Sequence, residues 1–329
     1  MLFRFSLAGW CLLMVALPAA GATLPTVDPS FEVAFSGEIV YGFGEVGAPV
    51  PGQKALLLDL YEPEGAGLDG ELLPAVVIIH GGGFVGGSRR QSQLVDIAFA
   101  MASRGYVAIS IDYRVIPDEP VPSARVEPLL QAVFDGQGLL PTATAEAMVA
   151  AVDDGLTALD WLRASAGGLG VDPDRIGLLG GSAGAITSVH LAYVLDNLGV
   201  PPQPLRFVVD LWGGSLIPPA DRTAAAGHLD AGEPPFIAIH GTDDPTVPFE
   251  LSELLVARAV DQGVPHELYP LEGAGHGFGS IDIFTLEASP GVTLFERVLG
   301  WTREALHGPE VFSDGFESGD TSAWSSALP

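Results

Sequence analysis

Four stretches of this chain carry residue types that could perform acyl transfer if a fold brought them together. Gly180-Gly181-Ser182-Ala183-Gly184 has the G-x-S-x-G form, in which small neighbours permit a turn tight enough to leave a serine hydroxyl exposed between a strand and a helix. Thr242-Asp243-Asp244-Pro245 offers two adjacent carboxylates, and Gly275-His276-Gly277 one histidine between glycines. His80-Gly81-Gly82-Gly83-Phe84 offers backbone N–H groups that no side chain shields, so a ligand oxygen can approach them closely. A serine hydroxyl is a poor nucleophile until a base takes its proton, and imidazole does this near neutral pH. A carboxylate fixes the imidazole tautomer, and preorganised N–H donors take up the charge of a developing oxyanion. A phosphate-binding loop is the rival reading of the glycines, but the lysine of a P-loop is missing.

The elements around these stretches decide whether they can meet. Residues 31–35, 39–43 and 55–61 alternate as strands, separated by turn residues, and read as an antiparallel edge to a larger sheet. Residues 74–79 (Pro-Ala-Val-Val-Ile-Ile) are apolar on both faces, as a central parallel strand buried between helices requires. Further buried strands are expected at 106–112, 175–180, 205–211 and 235–240, and another strand at 265–270. Helices are expected at 94–104, 143–166, from Ala183, at 250–261 and at 294–307. Residues 115–141, rich in proline, read as an excursion over the sheet's top edge. The alternation predicts a mostly parallel, doubly wound α/β sheet. In such a sheet the ligand site forms outside the carboxyl ends of the strands, where all four stretches lie. Asp112 and Arg114 read as a buried, mutually satisfied pair, and Asp153, Asp154 and Asp160 as the solvated side of their helix. His80 reads as structural, and His190, His228, His240, His266 and His307 as surface or packing residues without metal-ligand spacing.

Composition narrows the function classes. With 14 basic against 41 acidic residues the formal charge is −27, so phosphate backbones and anionic lipid surfaces are repelled and a nucleic-acid partner is disfavoured. Residues 1–22 combine an early arginine, a short apolar run and an Ala20-x-Ala22 end. This is the form of a secretory signal peptide cleaved near Ala22, too short to span a membrane well. Cys11, the single cysteine, lies within it, so the mature chain has no disulfide and relies on its core. Residues 308–329 are acidic, small and aperiodic and read as a flexible tail. They are similar to a short terminal segment found on secreted bacterial proteins. The organisation expected is therefore a leader, a catalytic domain at 23–307 and a tail.

The motifs HGGGF at His80, DYR at Asp112, GGSAG at Gly180, HGTDD at His240 and GHGF at Gly275 occur in that order. In this set the chain resembles the α/β-hydrolase carboxylesterases, related to the hormone-sensitive-lipase group and to bacterial acetylxylan/feruloyl esterase-like (BD-FAE-like) enzymes, over about residues 54–305. The resemblance implies Ser182 as nucleophile, His276 as general base and acid, and Asp244 as orienting acid with Asp243 as the alternative. It implies Gly82, Gly83 and Ala183 as oxyanion donors, with no metal and no cofactor. Two departures stand out: Gly181 replaces the usual acidic residue, and the N-terminal region reads as strands where the lipase group has a helical cap. Little or no cap follows, and a rather open pocket unless residues 115–141 cover it. The expected function is secreted hydrolysis of short- to medium-chain carboxylic esters, small or polysaccharide-linked, through an acyl-enzyme. HGTDDPTVPF also resembles prolyl-oligopeptidase-type serine peptidases, and an inactive hydrolase-fold binding module is the third reading. The sequence does not specify an oligomeric state.

Overall fold

The computed structural model describes residues 24–47, 51–67, 70–135, 140–214, 228–279 and 281–307. The expected leader at 1–22 and tail at 308–329 lie outside them. In chain order the elements are β1 (Val33–Val46), β2 (Gly52–Pro63), β3 (Leu73–Ile79), α1 (Ser92–Ala102), β4 (Val107–Ile111), α2 (Glu127–Asp135) and α3 (Thr142–Leu169). They continue with β5 (Val171–Gly181), α4 (Ala183–Tyr193), β6 (Val208–Leu211), β7 (Phe236–Gly241), α5 (Glu250–Gln262), β8 (His266–Leu271), a short β9–β10 pair (Glu287–Ser289, Val292–Thr293) and α6 (Leu294–His307).

An eight-stranded sheet runs β1-β2-β4-β3-β5-β6-β7-β8. β1–β2 and β2–β4 are antiparallel and the other pairings parallel. Every residue of β3 is buried. Burying a Val or Ile side chain stabilises by roughly 1.5–3 kcal/mol, which offsets the roughly 1–2 kcal/mol lost in fixing its backbone; the apolar run is therefore stable only inside the sheet. One face packs against α1, α5 and α6 through Leu94, Met101, Leu255, Phe295 and Trp301. The other packs against α3 through Met148, Leu156 and Leu162. Among the described residues no helix is long and apolar enough to cross a membrane.

The structure departs from the sequence reading in four places. Residues 33–46 form one strand where two were expected, because register shifts at Ser36/Ile39 and Val40/Gly42 bend it. The first bend holds Glu38 at a φ of 61°, with its N–H donated to the buried Asp59 at 2.9 Å. The excursion contains a helix, α2; its Pro128 falls in the first turn, where a missing N–H costs nothing. Asp153 and Asp154 are buried, not solvated. The middle of α3 is covered on nearly all sides, so a helical period cannot reveal a free face there. Asp160 is half-exposed as expected and pairs with Arg125 at 2.7 Å.

The fourth departure is that Arg114 pairs with α3 rather than with Asp112. Its guanidinium donates to Asp154 at 2.7 and 3.0 Å and to Asp153 at 3.1 Å, and its remaining N–H groups reach the carbonyls of Glu45 at 2.8 Å and Val121 at 2.7 Å. Asp112 instead accepts the Arg89 backbone N–H at 2.7 Å and its guanidinium.

Asp210, at the end region of β6, is fully buried. Its Oδ1 accepts the Gly213 N–H at 2.8 Å and its Oδ2 has no partner among the described residues. Burial pushes its pKa up to about 7, with the Gly213 bond opposing. The native state therefore holds a proton that the unfolded chain releases above about 3.9. Stability must fall as pH rises through that window and stay lower above it. Asp210→Asn is expected to stabilise the protein more at about pH 8 than at about pH 5, measured as the difference in urea midpoints between variant and wild type.

Candidate active site

Strand β5 ends at Gly181 and α4 starts at Ala183, leaving Ser182 between them with φ 53° and ψ −120°. A non-glycine residue there is strained and persists only where its surroundings over-determine it. Here they do. A Cβ on Gly180 would come within 2.3 Å of the Gly184 backbone, and one on Gly184 within 2.0 Å of the Ile79 carbonyl oxygen. The glycines are what let α4 sit directly against the end of β3.

Three loops converge on the serine. Ser182 Oγ lies 2.9 Å from His276 Nε2, and His276 Nδ1 lies 2.7 Å from Asp244 Oδ2. Asp244 Oδ1 accepts the N–H groups of Thr246 at 2.8 Å and Val247 at 2.9 Å. Burial alone would raise the pKa of Asp244, but the Val247, His276 and Thr246 bonds outweigh it and hold the carboxyl below its ordinary value. Asp243 is exposed and donates its backbone N–H to Ala274, so the structure places Asp244, not its neighbour, in the series. A Cβ on Gly241 would meet the Ala274 carbonyl oxygen at 2.2 Å; the acid loop and the histidine loop touch backbone to backbone.

The triple-glycine loop lies against the serine turn, since a Cβ on Gly81 would be 3.1 Å from Ser182 Cβ. Gly82 and Gly83 have φ of 121° and 61°, a region open to glycine without penalty. The Gly81 N–H is taken by Gln91 at 3.2 Å. Those of Gly82 and Gly83 donate to no acceptor among the described residues. Ala183 opens α4, and a first-turn N–H has no partner within its helix. The loop is anchored at both ends: Tyr113 stacks on His80 at 4.2 Å and donates to its carbonyl at 3.0 Å, and the Ile116 N–H reaches the Phe84 carbonyl at 2.8 Å.

Comparison with known proteins agrees with this architecture. A family model described as BD-FAE matches residues 58–133, and one described as alpha/beta hydrolase fold matches residues 141–231. Esterase 2 of Thermogutta terrifontis, solved phosphoramylated by tabun, superposes with a TM-score of 0.57 at 27% identity, over 88% of this chain and 96% of that one. The chain has the α/β-hydrolase fold. It is 32% identical over 130 residues to carboxylesterase NlhH of Mycobacterium tuberculosis, 40% of the chain and 32% of that protein. It is 26% identical to esterase LipI of the same species over 62% of the chain and 65% of that relative. It thus spans only about a third of the length of the first of these curated relatives. A model described as prolyl oligopeptidase family matches residues 217–307.

Two features of the site escaped the sequence. His240 is fully buried, with Nε2 3.3 Å from Asp244 Oδ2; the reading of it as surface or packing missed that contact, though it heads the same HGTDD stretch. Trp212 adopts φ 47° and packs edge-on to Phe278 at 4.4 Å and to His276 at 6.5 Å. A Cβ on Gly181 would meet its ring at 2.9 Å. The elbow itself invites a direct test. Gly184→Ala should cost on the order of 1–3 kcal/mol by overpacking, because backbone rather than a flexible side chain occupies the space. A lower melting temperature together with reduced labelling of Ser182 by a fluorophosphonate is the expected outcome.

Proposed function

We propose that the chain is a secreted serine carboxylesterase that hydrolyses short- to medium-chain carboxylic esters through an acyl-enzyme. The observation that carries the reading is the unbroken series from Ser182 Oγ through His276 to Asp244, at 2.9 and 2.7 Å. In it His276 Nε2 takes the hydroxyl proton as Ser182 Oγ attacks the ester carbonyl, and Asp244 accepts from Nδ1–H and stabilises the imidazolium. The tetrahedral oxyanion is received by the N–H groups of Gly82, Gly83 and Ala183. Collapse expels the alcohol, protonated by His276, and leaves Ser182 acylated. Water, deprotonated by the same imidazole, then releases the acid.

The short acyl preference is supported by Thermogutta terrifontis esterase 2, solved with propionate and with butyrate bound, at 26% and 25% identity and TM-scores of 0.57 and 0.58. Export rests on the leader-like residues 1–22, with cleavage near Ala22 yielding a domain at 23–307 and an acidic tail at 308–329. The alcohol side extends to sugar esters in this proposal. The peptidase family model over the acid and histidine loops favours a second reading, cleavage of short peptides. A panel of p-nitrophenyl esters from acetate to palmitate, with acetylated xylan, methyl ferulate and aminoacyl p-nitroanilides, tests both. Turnover should peak between acetate and butyrate and fall steeply toward palmitate. Efficient anilide cleavage with negligible ester turnover would replace the esterase reading by the peptidase one.

A further inference from the structure

The acid loop holds a second imidazole. His240 ends β7 with a side chain that solvent does not reach. Its Nδ1 lies 2.8 Å from the hydroxyl of the buried Ser252, on α5, and its Nε2 lies 2.9 Å from the Val247 carbonyl oxygen. A carbonyl only accepts, so Nε2 carries the hydrogen, and in the neutral ring Nδ1 accepts from the Ser252 hydroxyl. Burial favours that neutral form, lowering the pKa of His240 against the pull of the Val247 bond and of Asp244. The tautomer is thereby set, with the Nε2–H donated to Val247 O and Nε2 also 3.3 Å from Asp244 Oδ2. That carboxylate oxygen is the one that faces His276 Nδ1. Val247 is bound from both sides, its N–H to Asp244 Oδ1 and its carbonyl to His240. Edge-on contact with Phe249 at 5.7 Å fixes the ring plane.

We propose that His240 is a positioning residue for hydrolysis, holding Asp244 Oδ2 in line with His276 through its Nε2–H and the Val247 turn, with Ser252 donating to its Nδ1 and fixing the ring's place. This rests on the Ser182–His276–Asp244 reading and deepens it. The rotation of the Asp244 carboxylate is set by the Thr246 and Val247 N–H groups on Oδ1, and His276 supplies one donor to Oδ2. His240 holds the Val247 carbonyl, and so the turn that presents the Val247 N–H to Oδ1, and its Nε2 beside Oδ2 limits how far the carboxylate can shift from the imidazole. Small misplacements of such a group are costly, on the order of 10²-fold for about 1 Å. His240 itself touches neither substrate nor the attacking oxygen, so its loss should act on turnover and not on substrate binding.

The test uses the full-length protein and p-nitrophenyl butyrate. His240→Leu removes the donor, and His240→Gln places an amide N–H where Nε2 stood. The expected result is a fall in kcat of about 10–100-fold for His240→Leu with KM unchanged, and recovery of most of it in His240→Gln. Asp244→Asn supplies the background that separates positioning from packing. In that background His240→Leu should lower kcat no further, since the group it positions is already disabled, whereas a packing role would still cost activity. Wild-type kcat in His240→Leu, equal losses in Leu and Gln variants, or additive losses with Asp244→Asn would each overturn the proposal. If His240→Leu does not fold, Ser252→Ala, which removes the donor to Nδ1 and loosens the ring, carries the same cycle with a smaller expected loss, and additivity there overturns it too. Undiminished activity of Asp244→Asn alone would instead sink the triad reading, so the two failures are distinguishable.

Discussion

Ser182→Ala is expected to lower kcat for p-nitrophenyl butyrate by on the order of 10⁴-fold or more, leaving only what oxyanion donors and binding supply. The substitution deletes one oxygen and its bond to His276 Nε2. Alanine meets the same backbone strain at φ 53°, so the folded state loses little and the melting temperature should stay near wild type. The residual rate should not change when His276→Ala is added, because residues that act as one unit are not additive. Loss of the fluorophosphonate adduct in the same variant ties the effect to the hydroxyl. Wild-type turnover by Ser182→Ala would rule out an acyl-serine mechanism.

The largest expected effect on stability lies away from the site. Arg114→Leu leaves Asp153 and Asp154 buried without their cation, together with the unmet carbonyls of Glu45 and Val121. Breaking a buried pair by removing one partner costs about 3–5 kcal/mol, because the uncompensated charge stays out of water. Urea unfolding should show a drop of that size in the wild-type slope regime. Arg125→Ala, which breaks the half-exposed pair with Asp160, should cost no more than about 1 kcal/mol. Replacing Asp153 and Asp154 by Ala and Leu along with Arg114→Leu should recover much of the loss, since apolar groups of similar volume need no counter-charge. If Arg114→Leu unfolds at the wild-type midpoint, the guanidinium is not the tie that its hydrogen bonds suggest.

What the sequence made legible follows from where burial is symmetric. Strands β3, β5, β6 and β7 are apolar runs because both faces meet helices, and the residues with chemistry follow three of them directly, with His276 following β8. Gly180, Gly184 and Gly241 carried information too, since each stands where backbone meets backbone. Asp153 and Asp154 were misread because a helical period reports one buried stripe, and the middle of α3 is also covered by the β1 hairpin and α4. The Arg114 pairing was invisible for the same reason: its partners lie about forty residues downstream on that covered face. His240 was discounted because its meaning depends on the 244–247 turn, which brings Val247 O and Asp244 Oδ2 to one ring nitrogen. Glu38 was lost in a bend that only Asp59, across the sheet, can hold.

The order of the strands along the chain also sets an order in time. The serine turn follows β5, the carboxylate follows β7 and the imidazole follows β8, the last strand at the far edge from β1. A chain growing from its N-terminus can form the elbow around Ser182 while residue 276 is still unmade. The hydroxyl has no base until β8 has paired with β7 and brought its loop across to the serine. The proposed nucleophile is thus without its base until the C-terminal edge of the sheet closes.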